Sequence, residues 1–211
     1  SLSCLPKDEF PIIEINNTSS KKISVEAETI FNLINKTKFA ISNEETRYFL
    51  NGLYFYISSK DNSSNLTFVA TDGHRLAMSF VKTKNIDSDL PGVIIPKKTI
   101  TELSKLLSEN TKLIEIDISS SKIIFFIDNL ILVSKLIDGN FPDYNRVIPI
   151  GNKNSLVVDR TSLLSAVDRV STIANEKSPS IKFKLLKNLI NLSTINNENS
   201  TATEDLKVKY I

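Results

Sequence analysis

The stretch FVATDGHRLAMSF, from Phe68 to Phe80, changes character in its middle. Its flanks are apolar and alternating, as β-strands are when one face of a sheet is buried. Its centre, Thr71–Arg75, is polar and contains the only histidine of the chain. The dipeptide Asp72-Gly73 favours a two-residue hairpin turn with positive φ at both positions. The stretch therefore predicts an antiparallel hairpin with a polar tip.

The turn and the residues beside it need separate explanations. A tight turn by itself accounts for Asp72 and Gly73. It does not account for Thr71, His74 and Arg75 together, at the point where the strands meet the turn. Two interpretations remain open at this step: a turn that happens to be polar, or a site where the protein binds something.

Around this hairpin the chain repeats one pattern, a strand, a helix and three antiparallel strands. In the first repeat, apolar residues at 25–37 (Ala27, Ile30, Phe31, Ile34) have helical spacing and precede strands in RYFLNGLYFYI, NLTFVAT and HRLAMSFV. In the second, the strand Val93–Ile95 and a helix that begins at Pro96 precede strands in KLIEIDI, SKIIFFI and LILVSKLI. In the third, the strand SLVV and a helix capped by Asp159 precede IKFKLL, LINLSTI and LKVKYI.

The repeats predict the fold class. One repeat cannot bury its helix and sheet alone, so two repeats form one α+β domain with helices on one side and antiparallel sheet on the other. We therefore expect residues 1–149 to form a complete domain and residues 150–211 to form the first half of another, truncated one. The polar segment NNENSTATED is interpreted as a hairpin connection within that half.

Composition restricts the class of protein. The chain has 211 residues and a formal net charge of only +2, so any nucleic-acid binding must come from the local arrangement of basic residues. Its single cysteine, Cys4, cannot form a disulfide within the chain. The N-terminal SLSCLPKDEF lacks the apolar core of a signal peptide, and the apolar run 123–127 is far shorter than the roughly 20 residues of a membrane span. These features predict a soluble, cytoplasmic protein without a membrane partner.

Catalysis has little support in the sequence. One histidine and one cysteine cannot build a metal cluster or a Cys/His pair, and the five glycines are too scattered to cradle phosphates. The carboxylates show no spacing that argues for acid–base pairing. We therefore expect no catalytic residue, metal or cofactor, and the absence of a phosphate loop and a carboxylate constellation disfavours a nucleotidyltransferase or nuclease.

Four segments resemble one family. ATDGHRLA at 70–77 is similar to the signature of the bacterial DNA polymerase III beta subunit, the sliding clamp. TRYFLNGLYF at 46–55 resembles that family's RYxLNG strand, SKLIDGNFPDYNRVIP at 134–149 resembles the segment that joins its second and third domains, and ANEK at 174–177 resembles a motif inside its third domain. The resemblance spans most of the chain. It implies the DNA clamp fold, with residues 1–149 as the family's second domain.

The resemblance also implies a function. Family members form a head-to-tail homodimer ring that encircles double-stranded DNA without reading its sequence, and they tether the replicative polymerase; the polymerase catalytic subunit and the clamp-loader subunits are the implied partners. The pocket for partner peptides would consist of Leu50, Thr71, Gly73, His74, Arg75, Leu76, Pro142, Arg146 and Val147. Its apolar members would accept a leucine or phenylalanine, and its basic members would fix an extended backbone. Ser178 stands where some family members have an aromatic residue, and taken singly Leu76 and Val147 are more typical of core packing than of a pocket.

A second surface would face DNA. On the helix that follows Pro96, Lys98 and Lys105 lie on one face with Thr101 between them, opposite the apolar stripe. Such a face suits sequence-independent attraction of phosphates, and it is equally typical of an ordinary solvated helix. Arg47 and Tyr48, in the loop before the RYxLNG-like strand, are further candidates for contact with DNA. A peptide-binding adaptor that never encircles DNA remains the alternative function.

Overall fold

The computed structural model describes residues 4, 6, 20–60, 63–83, 90–107, 111–175, 179–196 and 200–210, and its features are those of these residues. The chain divides into two compact units, Ser1–Pro142 and Asp143–Ile211. The assignment of residues 1–149 and 150–211 to two domains stays a prediction. Glu176 and Lys177 of the predicted third-domain motif, and Ser178 after it, lie outside the described residues, as do residues 197–199 of the predicted connection.

The first unit contains the strand–helix–three-strand pattern twice. Its elements are β1 Lys21–Glu26, α1 Ala27–Thr37, β2 Gly52–Lys60, β3 Ser63–Thr71, β4 Leu76–Thr83, β5 Leu90–Pro96, α2 Lys97–Leu106, β6 Leu113–Ile118, β7 Lys122–Ile127 and β8 Leu130–Lys135. Two short 3-10 helices, Lys38–Ala40 and Glu45–Leu50, lie between α1 and β2. The mixture of helices and antiparallel strands confirms the predicted α+β class.

The two repeats of the first unit exchange their first strands. One sheet has the order β4-β3-β2-β5 and the other has the order β1-β6-β7-β8, with antiparallel pairing throughout. Strand β1 of the first repeat therefore pairs with β6 of the second, with Val25 opposite Ile114. Strand β5 of the second repeat pairs with β2 of the first, with Leu53 opposite Ile95. This exchange ties the repeats into one folding unit.

Both helices of the first unit turn one apolar stripe into a common core. Ile30 and Ile34 of α1 and Ile100 and Leu103 of α2 are fully buried in one cluster with the sheets. Burial of an aliphatic side chain of this size contributes about 1.5–3 kcal/mol. Phe31, which the sequence placed in the α1 stripe, is 36% exposed, and Leu33 is buried in its place.

Two predicted boundaries in this unit are wrong. The segment RYFLNGLYFYI does not begin as a strand, because Glu45–Leu50 forms a 3-10 helix and β2 starts only at Gly52. Local hydrogen bonds compete with the strand: Asn51 Nδ2 donates to the Glu44 carbonyl at 2.9 Å, and the Asn51 backbone N–H donates to the Tyr48 carbonyl at 3.0 Å. Pro96 is the last residue of β5 rather than the first residue of α2.

The second unit begins with a 3-10 helix, Tyr144–Val147. It continues with β9 Leu156–Val157, α3 Arg160–Ser171, β10 Lys182–Leu186, β11 Leu189–Ile195, β12 Thr201–Lys207 and β13 Lys209–Tyr210. Strands β10, β11 and β12 form one antiparallel sheet in that order, and β9 pairs with β13. The core of this unit consists of Ala166, Val170, Ile190, Leu192 and Val208.

The cap of α3 is confirmed, whereas the connection before β12 is not as predicted. Asp159 accepts a hydrogen bond from the Ser162 backbone N–H at 2.7 Å and so satisfies one free donor of the first turn. Strand β12 starts at Thr201, inside the segment predicted to be a connection. Its residues are polar because β12 is an edge strand whose alternate side chains face solvent. In the described part of the chain, no helix is long and apolar enough to cross a membrane.

Candidate functional site

The hairpin between β3 and β4 has a four-residue loop. Thr71 and Leu76 pair across its base, so residues 72–75 form the connection. The Asp72 backbone N–H and the Arg75 carbonyl are 3.4 Å apart across the loop, and Gly73, at φ 89°, is its only residue with positive φ. The predicted two-residue turn is therefore wrong. The reason is that the Asp72 side chain itself closes the loop, as aspartate does in Asx turns.

Side-chain hydrogen bonds hold this loop in shape. Asp72 Oδ1 accepts from the backbone N–H groups of His74 and Arg75, each at 3.0 Å. Thr71 Oγ1 donates to the Arg75 carbonyl at 2.8 Å and accepts from the Gly73 N–H at 3.1 Å. Because Asp72 and Thr71 satisfy the loop's backbone, the side chains of His74 and Arg75 lie exposed at the tip. Thr71, Gly73, His74, Arg75 and Leu76, five of the predicted site residues, are thus brought together.

The charge of Asp72 is strongly stabilised. Hydrogen bonds from the backbone N–H of Arg75 and then of His74 lower the pKa of the Asp72 carboxyl to about 2 from its ordinary 3.8. The Arg75 guanidinium adds to this effect, since its Nε lies 3.1 Å from Asp72 Oδ2. The loop therefore carries a fixed negative charge at its base, on Asp72, beside the Arg75 guanidinium throughout the physiological pH range.

Two residues from the segment after α1 flank the loop. The Arg75 guanidinium lies over the Phe39 ring, 5.7 Å from its centroid, and Phe39 is 57% exposed. Arg47 lies beside the loop so closely that a Cβ at Gly73 would be 2.7 Å from Arg47 Nη1. Glu44 Oε2 accepts from Arg47 Nε at 2.7 Å and orients that guanidinium. The sequence did not single out Phe39 or Glu44, because only the tertiary fold brings them to the hairpin.

The predicted DNA candidates Arg47 and Tyr48 lie in the 3-10 helix Glu45–Leu50 rather than in a loop. Tyr48 is exposed and packs edge to face on Phe49, with ring centroids 5.8 Å apart. Arg47 contacts the hairpin that carries the predicted peptide site. Contact of either residue with DNA stays a prediction.

The apolar members of the predicted pocket differ in exposure. Leu50 is buried at the end of its 3-10 helix, Leu76 is half-buried at the start of β4, and Pro142 is exposed at the end of the first unit. Leu76 therefore offers its apolar surface beside the tip of the hairpin, and Leu50 supports the site from within the unit.

Arg146 and Val147 belong to the second unit. Both lie in the 3-10 helix Tyr144–Val147, where Tyr144 is buried and the side chain of Val147 is exposed. Arg146 Nε donates to Asp143 Oδ2 at 2.8 Å, which holds this guanidinium against its own segment. Their participation in one pocket with the hairpin residues stays a prediction.

The basic face of α2 has the predicted orientation. Lys98, Thr101 and Lys105 are exposed, whereas Ile100 and Leu103 on the opposite side are fully buried. Lys105 Nζ lies 3.0 Å from Glu102 Oε1, so part of its charge is offset locally. Lys98 is therefore the stronger of the two candidates for contact with phosphate.

The described residues contain no group of three or more histidine, cysteine, aspartate or glutamate side chains that could hold a metal ion. The site places basic and aromatic side chains, Arg47, Arg75 and Phe39, at the β3–β4 hairpin. Such groups suit binding of an extended peptide.

Family models match the chain from residue 24 to its last residue. Residues 24–143 match the central domain of the DNA polymerase III beta subunit, and residues 145–211 match the C-terminal domain of the same subunit. The beta sliding clamp of Caulobacter vibrioides is 41% identical over 210 residues, which are 100% of this chain and 56% of that protein. The beta sliding clamp of Rickettsia felis is 37% identical over 97% of this chain and 53% of its own length.

Solved structures give the same result for the fold. The sliding clamp of Bartonella birtlesii, solved bound to griselimycin, superimposes with a TM-score of 0.88 at 42% identity and covers 100% of this chain and 56% of its own. The DNA polymerase III beta subunit of Pseudomonas aeruginosa superimposes with a TM-score of 0.89 at 35% identity and covers 98% and 55%. The chain thus spans about half the length of the relatives that it matches.

Proposed function

The chain belongs to the DNA polymerase III beta subunit family, and from this membership we propose that it works as part of a sliding clamp. In this proposal the whole protein forms a ring of two subunits around double-stranded DNA in the bacterial cytoplasm. It tethers the replicative polymerase and other partners through short peptides and has no catalytic activity of its own. The observation that carries the proposal is the match of two consecutive beta-subunit domains to one chain.

The hairpin supports a peptide site in the first unit. Its loop is held by Asp72 and Thr71, so His74 and Arg75 lie exposed without cost to the backbone. Exposed side chains of this kind suit the carbonyl groups of an extended peptide, and the half-buried Leu76 beside them suits an apolar side chain. We propose that Leu50, Pro142, Arg146 and Val147 complete the site.

Helix α2 supports contact with DNA of the kind that a sliding ring needs. Its exposed lysines can attract phosphates of the duplex, a contact that does not read the base sequence. Weak, screened contacts let a ring slide, because topology rather than affinity retains it on the duplex.

Peptide binding tests the site. The C-terminal peptide of a bacterial replicative polymerase should bind this chain with a Kd of about 1 μM or weaker, about −8 kcal/mol. His74→Ala and Arg75→Ala should weaken binding while the fold stays intact. Lys82→Ala, on the same β4 strand, is the matched control and should bind like the unaltered chain. Chemical-shift changes on α2 instead of the hairpin would contradict the assignment.

Retention on DNA separates a clamp from an adaptor. We propose exchanging this chain for the matching residues of the Caulobacter vibrioides clamp, of which it covers 56%. A clamp predicts that the chimera stays on circular DNA at raised salt and is lost when the circle is linearised. An adaptor predicts equal loss from circular and linear DNA, and peptide binding by the chimera serves as the control for its folding.

A further inference from the structure

The segment that follows β8, residues 136–142, runs along the first unit as far as Pro142; we call it the connecting segment. Its first residues are held by backbone hydrogen bonds. The Leu136 N–H donates to the Ser121 carbonyl at 2.9 Å, and the Ile137 N–H donates to the Ile94 carbonyl of β5 at 2.9 Å. These two bonds fix the beginning of the segment and leave its end to be fixed by other contacts.

An aromatic stack lies at the other end. The Phe141 ring is parallel to the Tyr54 ring of β2, with an interplanar angle of 4° and centroids 4.7 Å apart. Tyr56, on the same strand, packs against Tyr54, with ring centroids 5.4 Å apart. Gly92 of β5 makes room for the stack, because any Cβ at this position would overlap the Tyr54 phenol. The stack is thus built by three separate segments of the unit.

Between these two attachments the connecting segment is partly exposed, and Gly139 lies against Tyr48 and Phe49 of the 3-10 helix Glu45–Leu50. Residues 136–139 line a cavity of about 390 Å³ together with residues 92–94 of β5 and the turn at Ser120–Ser121. Asp138, Gly139 and Asn140 are exposed. Gly139 lies three residues before Pro142, whereas Phe141 is its direct neighbour, so the position of Pro142 depends most directly on the Tyr54–Phe141 stack.

We infer that Tyr54 and Phe141 are positioning residues for the peptide site, holding Pro142 where it can line the pocket. The inference rests on the proposed function, in which Pro142 is a pocket residue. It does not give either ring a contact with the peptide: the effect passes through the backbone from Phe141 to its neighbour Pro142. Offset and stacked aromatic pairs have interaction energies that correspond to about a two- to tenfold change in an equilibrium constant.

The test uses the whole 211-residue chain and the C-terminal peptide of a bacterial replicative polymerase. Tyr54→Leu and Phe141→Leu should each weaken peptide binding about two- to tenfold. The conservative variants Tyr54→Phe and Phe141→Tyr keep the stack and should restore most of the affinity. Phe80→Leu removes an aromatic ring that is 54% exposed on β4 and should leave the affinity unchanged.

A double-mutant cycle distinguishes positioning from a general loss of stability. If the stack acts through Pro142, Tyr54→Leu should have little further effect in a Pro142→Ala background, so the two losses are not additive. Additive losses, or equal affinity of Tyr54→Leu and the unaltered chain, would overturn the inference while the proposed function stands. Failure of the unaltered chain to bind the peptide at all would overturn the proposed function, and the inference with it.

Discussion

Arg75 binds Asp72 twice in the β3–β4 loop: its backbone N–H donates to Oδ1 at 3.0 Å and its Nε donates to Oδ2 at 3.1 Å. One aspartate therefore fixes both the backbone and the side chain of the arginine. The proposed peptide site depends on this relationship, because a loop that is already ordered loses less entropy when a peptide binds.

Acid should release the loop only at very low pH. The folded-state pKa of Asp72 is about 2, below the ordinary 3.8, so its stabilising effect is fully present above about pH 4 and is lost as the pH falls through 2. Carbon-13 NMR of the Asp72 carboxyl should show this titration. Asp72→Asn removes the charge and should speed hydrogen exchange of the His74 and Arg75 amides. A carboxyl that titrates near 3.8 would contradict the hydrogen bonding described.

Gly73→Ala should damage the loop. At φ 89° an L-residue is strained by about 1–2 kcal/mol, and the new Cβ would lie 2.7 Å from Arg47 Nη1. We expect the free energy of unfolding, measured with urea, to fall by about this amount, together with weaker peptide binding. Arg47→Ala in the same chain should relieve the steric part but not the backbone strain. A Gly73→Ala variant as stable as the unaltered chain would show that the loop adopts another conformation.

The basic face of α2 should account for binding to duplex DNA. Lys98→Ala should reduce the slope of log K against log salt concentration by about 1, whereas Lys105→Ala should have a smaller effect because Glu102 lies 3.0 Å from its ammonium. Fluorescence anisotropy of a labelled duplex at several salt concentrations measures this. Lys82→Ala on β4 is the control with no expected change.

The chain alone should bind duplex DNA weakly at low salt and dissociate near physiological salt. Retention on circular but not on linear DNA would mean that the chain closes a ring by itself.

The core of the first unit should depend on Phe55. Its side chain is fully buried and packs edge to face on Phe68, with ring centroids 5.0 Å apart. Phe55→Ala should lower the free energy of unfolding by about 3–5 kcal/mol. Phe80→Ala, at an exposed ring of the same sheet, should change it by about 0.5 kcal/mol or less. Similar losses in the two variants, measured by urea denaturation, would contradict the described packing.

Sequence periodicity predicted the elements better than their ends. The apolar stripe of α2 has the predicted buried residues, and the polar tip of the hairpin lies between β3 and β4 as expected. The predicted turn type is wrong because the dipeptide Asp72-Gly73 is compatible with more than one loop conformation. The side-chain hydrogen bonds of Asp72 select the one observed. The apolar content of the RYFLNG segment predicts a strand because it does not reveal that Asn51 forms local hydrogen bonds.

The repeated strand–helix–strand order and, through the motifs, the family can be read from the amino-acid sequence alone. These properties are encoded in neighbouring residues, whose spacing reports which face of an element is buried. Three features come from the packing of the folded unit: the pairing of β1 with β6 and of β5 with β2, the position of Arg47 against Gly73, and the stack of Phe141 on Tyr54. Each of these contacts joins residues far apart in the chain, so it depends on the packing of the whole unit and leaves no mark on local periodicity.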